Sequence, residues 1–401
     1  MKKITHLAVS ALLLVSISLS FSSSVLAQDN AVSPPRPSTS NAQTDIIPSS
    51  QTQALPPQLY PPQDFFAATV EEITQQGEDD SSGVKQKFQI VKLKIVSGKE
   101  SGKTITLKQG GDVVVDENQF VKVGEKVVVA KTSGGGDNGG SGYYIADKYR
   151  LPPMFFAIVL FLALVIYFGR FKGFMSMLGL VFSIFILMKF VIPMILAGHS
   201  PLIITLVGSC MIAVVSIFLA HGFNKRTVIS VLSTLVTLTI AIGLAVLFVE
   251  ITRLFGTGSE EASYLKLDPA TNVNLKGLLL GGIIIGTLGV LDDITTAQVA
   301  VVDELRGANA SFGRKELYRR GITVGREHIA SLVNTLVLAY AGASLPLFLM
   351  FTLNSAQPFW VTFNSEFIAE ELIRTLVGSI ALILGVPIST WFAAKYLSRK
   401  Q

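Results

Sequence analysis

Asp292 and Asp293 stand side by side in the run Gly289-Val290-Leu291-Asp292-Asp293-Ile294-Thr295-Thr296-Ala297-Gln298, within a segment otherwise apolar enough to cross a membrane. A charged side chain at the centre of a membrane helix costs about 2.5–3.5 kcal/mol on insertion scales, so such residues face a bundle interior or a watery cavity. Two like charges on neighbouring positions repel, which favours proton exchange at the pair. With the side-chain oxygens of Thr295, Thr296 and Gln298, they also form an oxygen set suited to hard cations. The chemistry these residues point to is a cation or proton site. No catalytic residue is assigned.

Depth along the helices, at about 1.5 Å per residue, extends the set. The predicted span 277–302 enters from outside near Gly277, which puts both aspartates in its inner third. The span 227–249 starts inside and brings Ser230, Ser233 and Thr234 to the same layer. Thr227, Ser230, Thr234 and Thr237 recur there at helical spacing. The span 328–351 adds Ser331, Asn334 and Thr335. The candidate ion or proton site is therefore Asp292, Asp293, Thr295, Thr296 and Gln298, aided by Ser230, Thr234 and Asn334. The alternative is structural, because hydroxyls in membrane helices commonly act as packing glue.

Further patterns surround this set. Gly282, Gly286, Gly289 and Asp293 share one helix face, and Gly282-xxx-Gly286 is a spacing that lets helices approach closely. Asp292 is rotated about 100° from that face. Glu370 and Arg374, one turn apart, are expected to pair along their own helix. Glu250 and Arg253 take an interfacial position, and Lys189 is expected to snorkel.

The elements that must position these groups follow from composition. The chain has 401 residues, 50% of them hydrophobic and 15% charged, with a mean hydropathy of +0.53. That is a membrane-protein balance. The net charge of +5 reads as topology, since cytoplasmic loops collect Lys and Arg. No basic stripe interleaved with aromatics suggests nucleic acid as a partner. Cys210 is the only cysteine, which excludes an intrachain disulfide and a Cys-based metal cage.

Lys2 and Lys3, the apolar stretch Leu7–Leu19 and Val25-Leu26-Ala27 read as a signal peptide over 1–27. Residues 28–62 are rich in Pro, Ser, Gln and Asn and read as a disordered linker. Residues 63–150 carry short alternating runs: Phe65–Ile73, Lys87–Val96, Thr104–Leu107, Val121–Ala130 and Tyr143–Ala146. Val91, Leu93 and Ile95 share a face opposite Lys92 and Lys94. Five such strands suggest a small extracytoplasmic β-barrel-like domain of OB type, with Gly134–Gly142 as a loop. Residues 151–401 form an α-helical multipass membrane domain of about seven transmembrane helices, near 153–169, 174–197, 201–220, 227–249, 277–302, 328–351 and 367–394. Basic residues on alternate loops place the amino end outside and the carboxyl end in the cytoplasm of a bacterial cell membrane.

The β-rich segment ending in Tyr149-Arg150, the helices that follow, and the Gly289-Val290-Leu291-Asp292-Asp293-Ile294-Thr295 run resemble the YibE/F-like bacterial membrane proteins. Gln298 and Asp303-Glu304-Leu305-Arg306 continue the likeness, which extends from about residue 65 onward. The resemblance implies a multipass cell-membrane protein and supplies neither a substrate nor catalytic residues. From the residues themselves, a transporter or permease coupled to a proton or sodium ion leads. Its partners are the lipid bilayer and a small solute or ion, with no resident cofactor and the metal question open. A scaffold binding an envelope protein through the outer domain is the alternative. A lipid-phosphate enzyme ranks lower, because the additional acidic and histidine motifs of such enzymes are not found.

Overall fold

The computed structural model describes residues 63–79, 86–110, 115–132, 142–267, 273–353 and 358–398. The signal peptide over 1–27, the linker over 28–62 and nearly all of the Gly134–Gly142 loop lie outside the described residues. The chain divides into two compact units between Leu164 and Val165.

The first unit is a five-stranded antiparallel half-barrel in the order β3-β2-β1-β4-β5. Its strands are β1 (Gln63–Asp79), β2 (Gln86–Ile95), β3 (Thr104–Gly110), β4 (Lys126–Thr132) and β5 (Gly142–Lys148). The long β1 pairs through its first half with β4 and through its later residues with β2. Its register with β2 shifts between Val70 and Glu72 and between Ile73 and Gln75, irregularities of the kind that bend a strand. The alternation expected in β2 holds, since Val91, Leu93 and Ile95 are fully buried and pack with Ala68, Val127 and Val129. The run starting at Val121 becomes a strand only from Lys126. Val121 reaches the core from a turn instead.

Edge strands β3 and β5 approach each other, and a charged cluster beside them joins the two sides. Glu100 accepts from Lys131 Nζ at 2.5 Å and from the Tyr143 hydroxyl at 2.6 Å. Lys103 Nζ donates to Glu100 at 3.2 Å and to Tyr143 at 2.8 Å. These donors stabilise the charged carboxylate, and hold Glu100 down to about 2.

The rest is helical: α1 (Leu151–Ile186), α2 (Pro201–His221), α3 (Lys225–Ile251), α4 (Glu260–Leu267), α5 (Leu275–Ala308), α6 (Arg314–Ala343), α7 (Leu345–Leu353), α8 (Phe359–Phe363) and α9 (Glu366–Leu397). Helix α1 runs on through a π turn, Leu187–Val191, to Leu196. Between the two apolar runs read there, the backbone leaves helical geometry at Arg170 (φ 50°, ψ −136°). Among the described residues, five stretches are long and apolar enough to cross a membrane: Leu151–Leu196, α2, α3, α5 and α9. The apolar run 328–351 is divided between α6 and α7, so neither helix alone joins them.

Helix α5 is the hub, packing against α2, α3, α6 and α9. Asn274 caps it, accepting from the Gly277 amide at 3.0 Å, and Asn224 caps α3 by accepting from Thr227 N at 2.9 Å. Such caps satisfy donors that a helix start leaves orphaned. The core joins Leu238, Ala241 and Ala245 of α3, Ile283, Ile284 and Leu291 of α5, and Val377 and Ala381 of α9.

At the opposite end of α3 from Asn224, the loop to α4 is held by two glutamates of α9. Glu366 accepts from the amides of Phe255, Gly256 and Thr257 and from the Thr257 hydroxyl at 2.6–3.3 Å. Glu370 accepts from Gly258 N at 2.8 Å. A side chain at Gly258 would collide with Glu370. The expected Glu370–Arg374 pair is therefore not made: Arg374 lies 3.6 Å from Glu371 instead. The carboxylate of Glu370 turns instead to the Gly258 amide, for which no other acceptor is found among the described residues. Glu250 pairs with Lys276 at 2.6 Å.

Candidate functional site: an acidic pair on the central helix

Helix α5 buries Gly277, Gly281, Ile284, Leu288, Leu291, Thr295, Gln298 and Val302. These recur at alternating steps of about four and three residues, the spacing of one helix face. The stripe read from the sequence, Gly282, Gly286, Gly289 and Asp293, is offset from it by one or two positions at each turn, roughly 150° around the helix. Of its glycines, Gly286 faces the Tyr340 hydroxyl, whereas side chains added at Gly282 or Gly289 would meet nothing among the described residues. The close approach is made by Gly281. A Cβ there would stand 2.7 Å from Thr205 of α2.

That offset distributes the candidate residues. Thr295 faces α3, sending its hydrogen to Leu291 O at 2.8 Å, so Thr234 is the donor in their 2.6 Å contact. Gln298 faces the other way and donates from Nε2 to Gly321 O of α6 at 2.7 Å and to Thr390 Oγ1 of α9 at 2.8 Å. Gly325 stays a glycine because a Cβ there would run into Val386 beside this amide. All four side chains are fully buried. Thr234, Thr295 and Gln298 thus join helices, and in the described geometry their bonds are made to protein.

Asp292 is half-buried and turned toward α2, where its Oδ2 accepts from Ser216 Oγ at 3.3 Å. Asp293 is exposed on the same helix, close enough to His221 for the two to interact electrostatically. Among the described residues neither aspartate has a cation within ion-pair distance. Nor does any group of three or more His, Cys, Asp or Glu there come together as a metal site.

One turn further, Thr296 donates to Asp292 O at 2.8 Å and lines a polar cavity of about 120 Å³ with Ser230, Thr227, Lys172, His221 and Arg226. Ser230 thereby joins the site, although its own hydroxyl bonds back to Arg226 O at 3.1 Å. Asn334 does not: it is exposed on α6. Ser216 was missed from sequence. It repeats the helical spacing of Thr205 and Ser209, a hydroxyl stripe along α2 that could have revealed it.

A family model described as YibE/F-like protein matches residues 157–399, more than half of the chain. The chain belongs to the YibE/F-like family. The matched segment contains the acidic pair and every helix that packs on α5. It starts within α1, so the family match leaves out the β half-barrel that the resemblance had included. No curated protein and no solved structure matches the chain.

Proposed function

We propose that this YibE/F-like protein is a membrane transporter or permease driven by a proton or a cation such as sodium, with Asp292 and Asp293 as the coupling site. The observation that carries the reading is a pair of carboxylates that, among the described residues, have no cation within ion-pair distance, on the helix around which the bundle packs. A carboxylate within a membrane span that lacks a counter-charge is neutralised by whatever reaches it, a proton or a mobile cation. Ser216 supplies one neutral donor. Thr295, Thr234 and Gln298 serve this site by holding α5 to α3, α6 and α9.

In this reading the helical unit spans a bacterial plasma membrane seven times, α1 counting as two spans about Arg170 and α6 with α7 as one. The half-barrel lies outside and the carboxyl end inside, as the basic residues on alternate loops require. The test is a solute and ion flux screen in sealed proteoliposomes, comparing the parent with Asp292→Asn/Asp293→Asn. Coupled flux should vanish in the variant while the protein still inserts. Unchanged coupled flux removes the proposal.

A second reading has one observation of its own. The half-barrel carries a groove of about 520 Å³ bordered by Phe88, Phe120, Gln89 and Lys122, which suits a peptide segment of an envelope partner. It predicts a stoichiometric partner in pull-downs that is lost on deleting residues 63–150.

A further inference from the structure

We propose that the cavity between α1, α2, α3 and α5 binds one tetrahedral oxyanion, either inorganic phosphate or the phosphate of an anionic lipid headgroup. Three basic side chains from three helices converge there: Lys172 of α1, His221 of α2 and Arg226 of α3. No carboxylate is among the lining residues. Asp303 lies 4.0 Å from Arg226, and Asp293 interacts with His221. Lys172 has no carboxylate within ion-pair distance among the described residues. Lys172 and Arg226 are the fixed cations here and repel one another about the space; with the His221 ring as a third N–H donor, the space is suited to an anion.

The remaining wall is polar and adjustable. Thr227, Ser230 and Thr296 line it, and the last two currently donate to carbonyls one turn back, at 3.1 and 2.8 Å. A rotation about one bond turns either hydroxyl to an oxyanion. Cationic donors with hydroxyls around a phosphate form short, charge-assisted bonds. The volume, about 120 Å³, holds one such group and no large solute. The inference concerns binding alone and does not require that the protein transport anything.

The test uses the full chain purified in neutral detergent and freed of lipid, titrated calorimetrically with inorganic phosphate. In parallel, the protein in nanodiscs of zwitterionic lipid is titrated with phosphatidic acid. Binding in either arm should weaken roughly tenfold or more in Lys172→Gln and Arg226→Gln, as losing a charged hydrogen bond implies, and persist in Lys172→Arg. Phosphate binding identifies a free oxyanion. Binding of phosphatidic acid alone identifies a headgroup. Binding should persist or tighten in Asp292→Asn/Asp293→Asn, which removes a negative charge beside His221, whereas coupled flux should vanish there, and this separates the anion site from the coupling site. Binding in neither arm, or equal binding by parent and glutamine variants, overturns it.

Discussion

The Ser216 hydroxyl of α2 reaches the Asp292 carboxylate of α5 across 3.3 Å, and it is the one side-chain hydrogen bond found for that carboxylate among the described residues. The bond is long for O–H···O, so it orients the carboxylate without locking it. A coupling site needs such a partner, because a carboxylate clamped in an ion pair cannot release and regain a cation readily.

Ser216→Ala should therefore leave stability almost intact, within about 1 kcal/mol as for typical interhelical hydrogen bonds in membranes. It should nevertheless change the ion concentration giving half-maximal flux. Thermal unfolding in detergent and flux against ion concentration check the two halves of this expectation. A large stability loss with an unaltered ion dependence would make Ser216 a packing residue.

Adjacent glycines on α5 should respond oppositely to one methyl group. At Gly281 the new Cβ meets Thr205 at 2.7 Å, and overpacking of this kind costs about 1–3 kcal/mol. At Gly282 it enters open space, and replacing glycine within a helix gains up to about 1 kcal/mol. Melting temperatures of Gly281→Ala and Gly282→Ala compare the two faces directly.

This pair also shows how far the sequence could be read. Apolar length and alternation located the helices and the inward face of β2, since burial imposes those periods on every residue. Thr234, Thr295 and Asp292 were legible because polar groups in an apolar run must find partners. What the pattern could not supply was rotation. A small-residue spacing fits on two well-separated faces of α5, and only the contacts of Thr205 and Tyr340 tell them apart. Partners distant in sequence, such as Gly321 and Thr390 for Gln298, were likewise invisible. So was Glu370, whose bond to Gly258 depends on a loop brought to it by packing.

Thr234 and Thr295 should couple energetically. Thr234→Val and Thr295→Val each break the 2.6 Å contact, so the double variant should lose less than the two single losses added together. The difference should fall near the ~0.6–1.7 kcal/mol seen for such pairs in membrane bundles. A double-mutant cycle on unfolding measures it, and strict additivity would show that the contact contributes nothing.

In the half-barrel, Glu100 makes stability depend on acid. Its carboxyl sits at about 2, below the ordinary 4.5, chiefly through the bond from Lys131. A group depressed on folding contributes stability above its unfolded value and loses it as pH falls through the folded one. The Glu100 contribution should thus be complete above about pH 4.5 and fade toward pH 2. Carbon NMR titration of the glutamate side chains in the full chain should show a carboxyl with a midpoint near 2 that disappears in Glu100→Gln, while Glu316, held down to about 2 by Arg319 and Arg320, keeps its own.

Charge movement across a membrane tests the acidic pair without knowing the solute. Proteoliposomes adsorbed on a solid-supported membrane, given a rapid jump in proton or sodium concentration, should produce a transient current in the parent protein. Asp292→Asn/Asp293→Asn should abolish it at equal protein density. An identical transient in parent and variant, or none in the parent for either ion, would contradict a coupling role for Asp292 and Asp293.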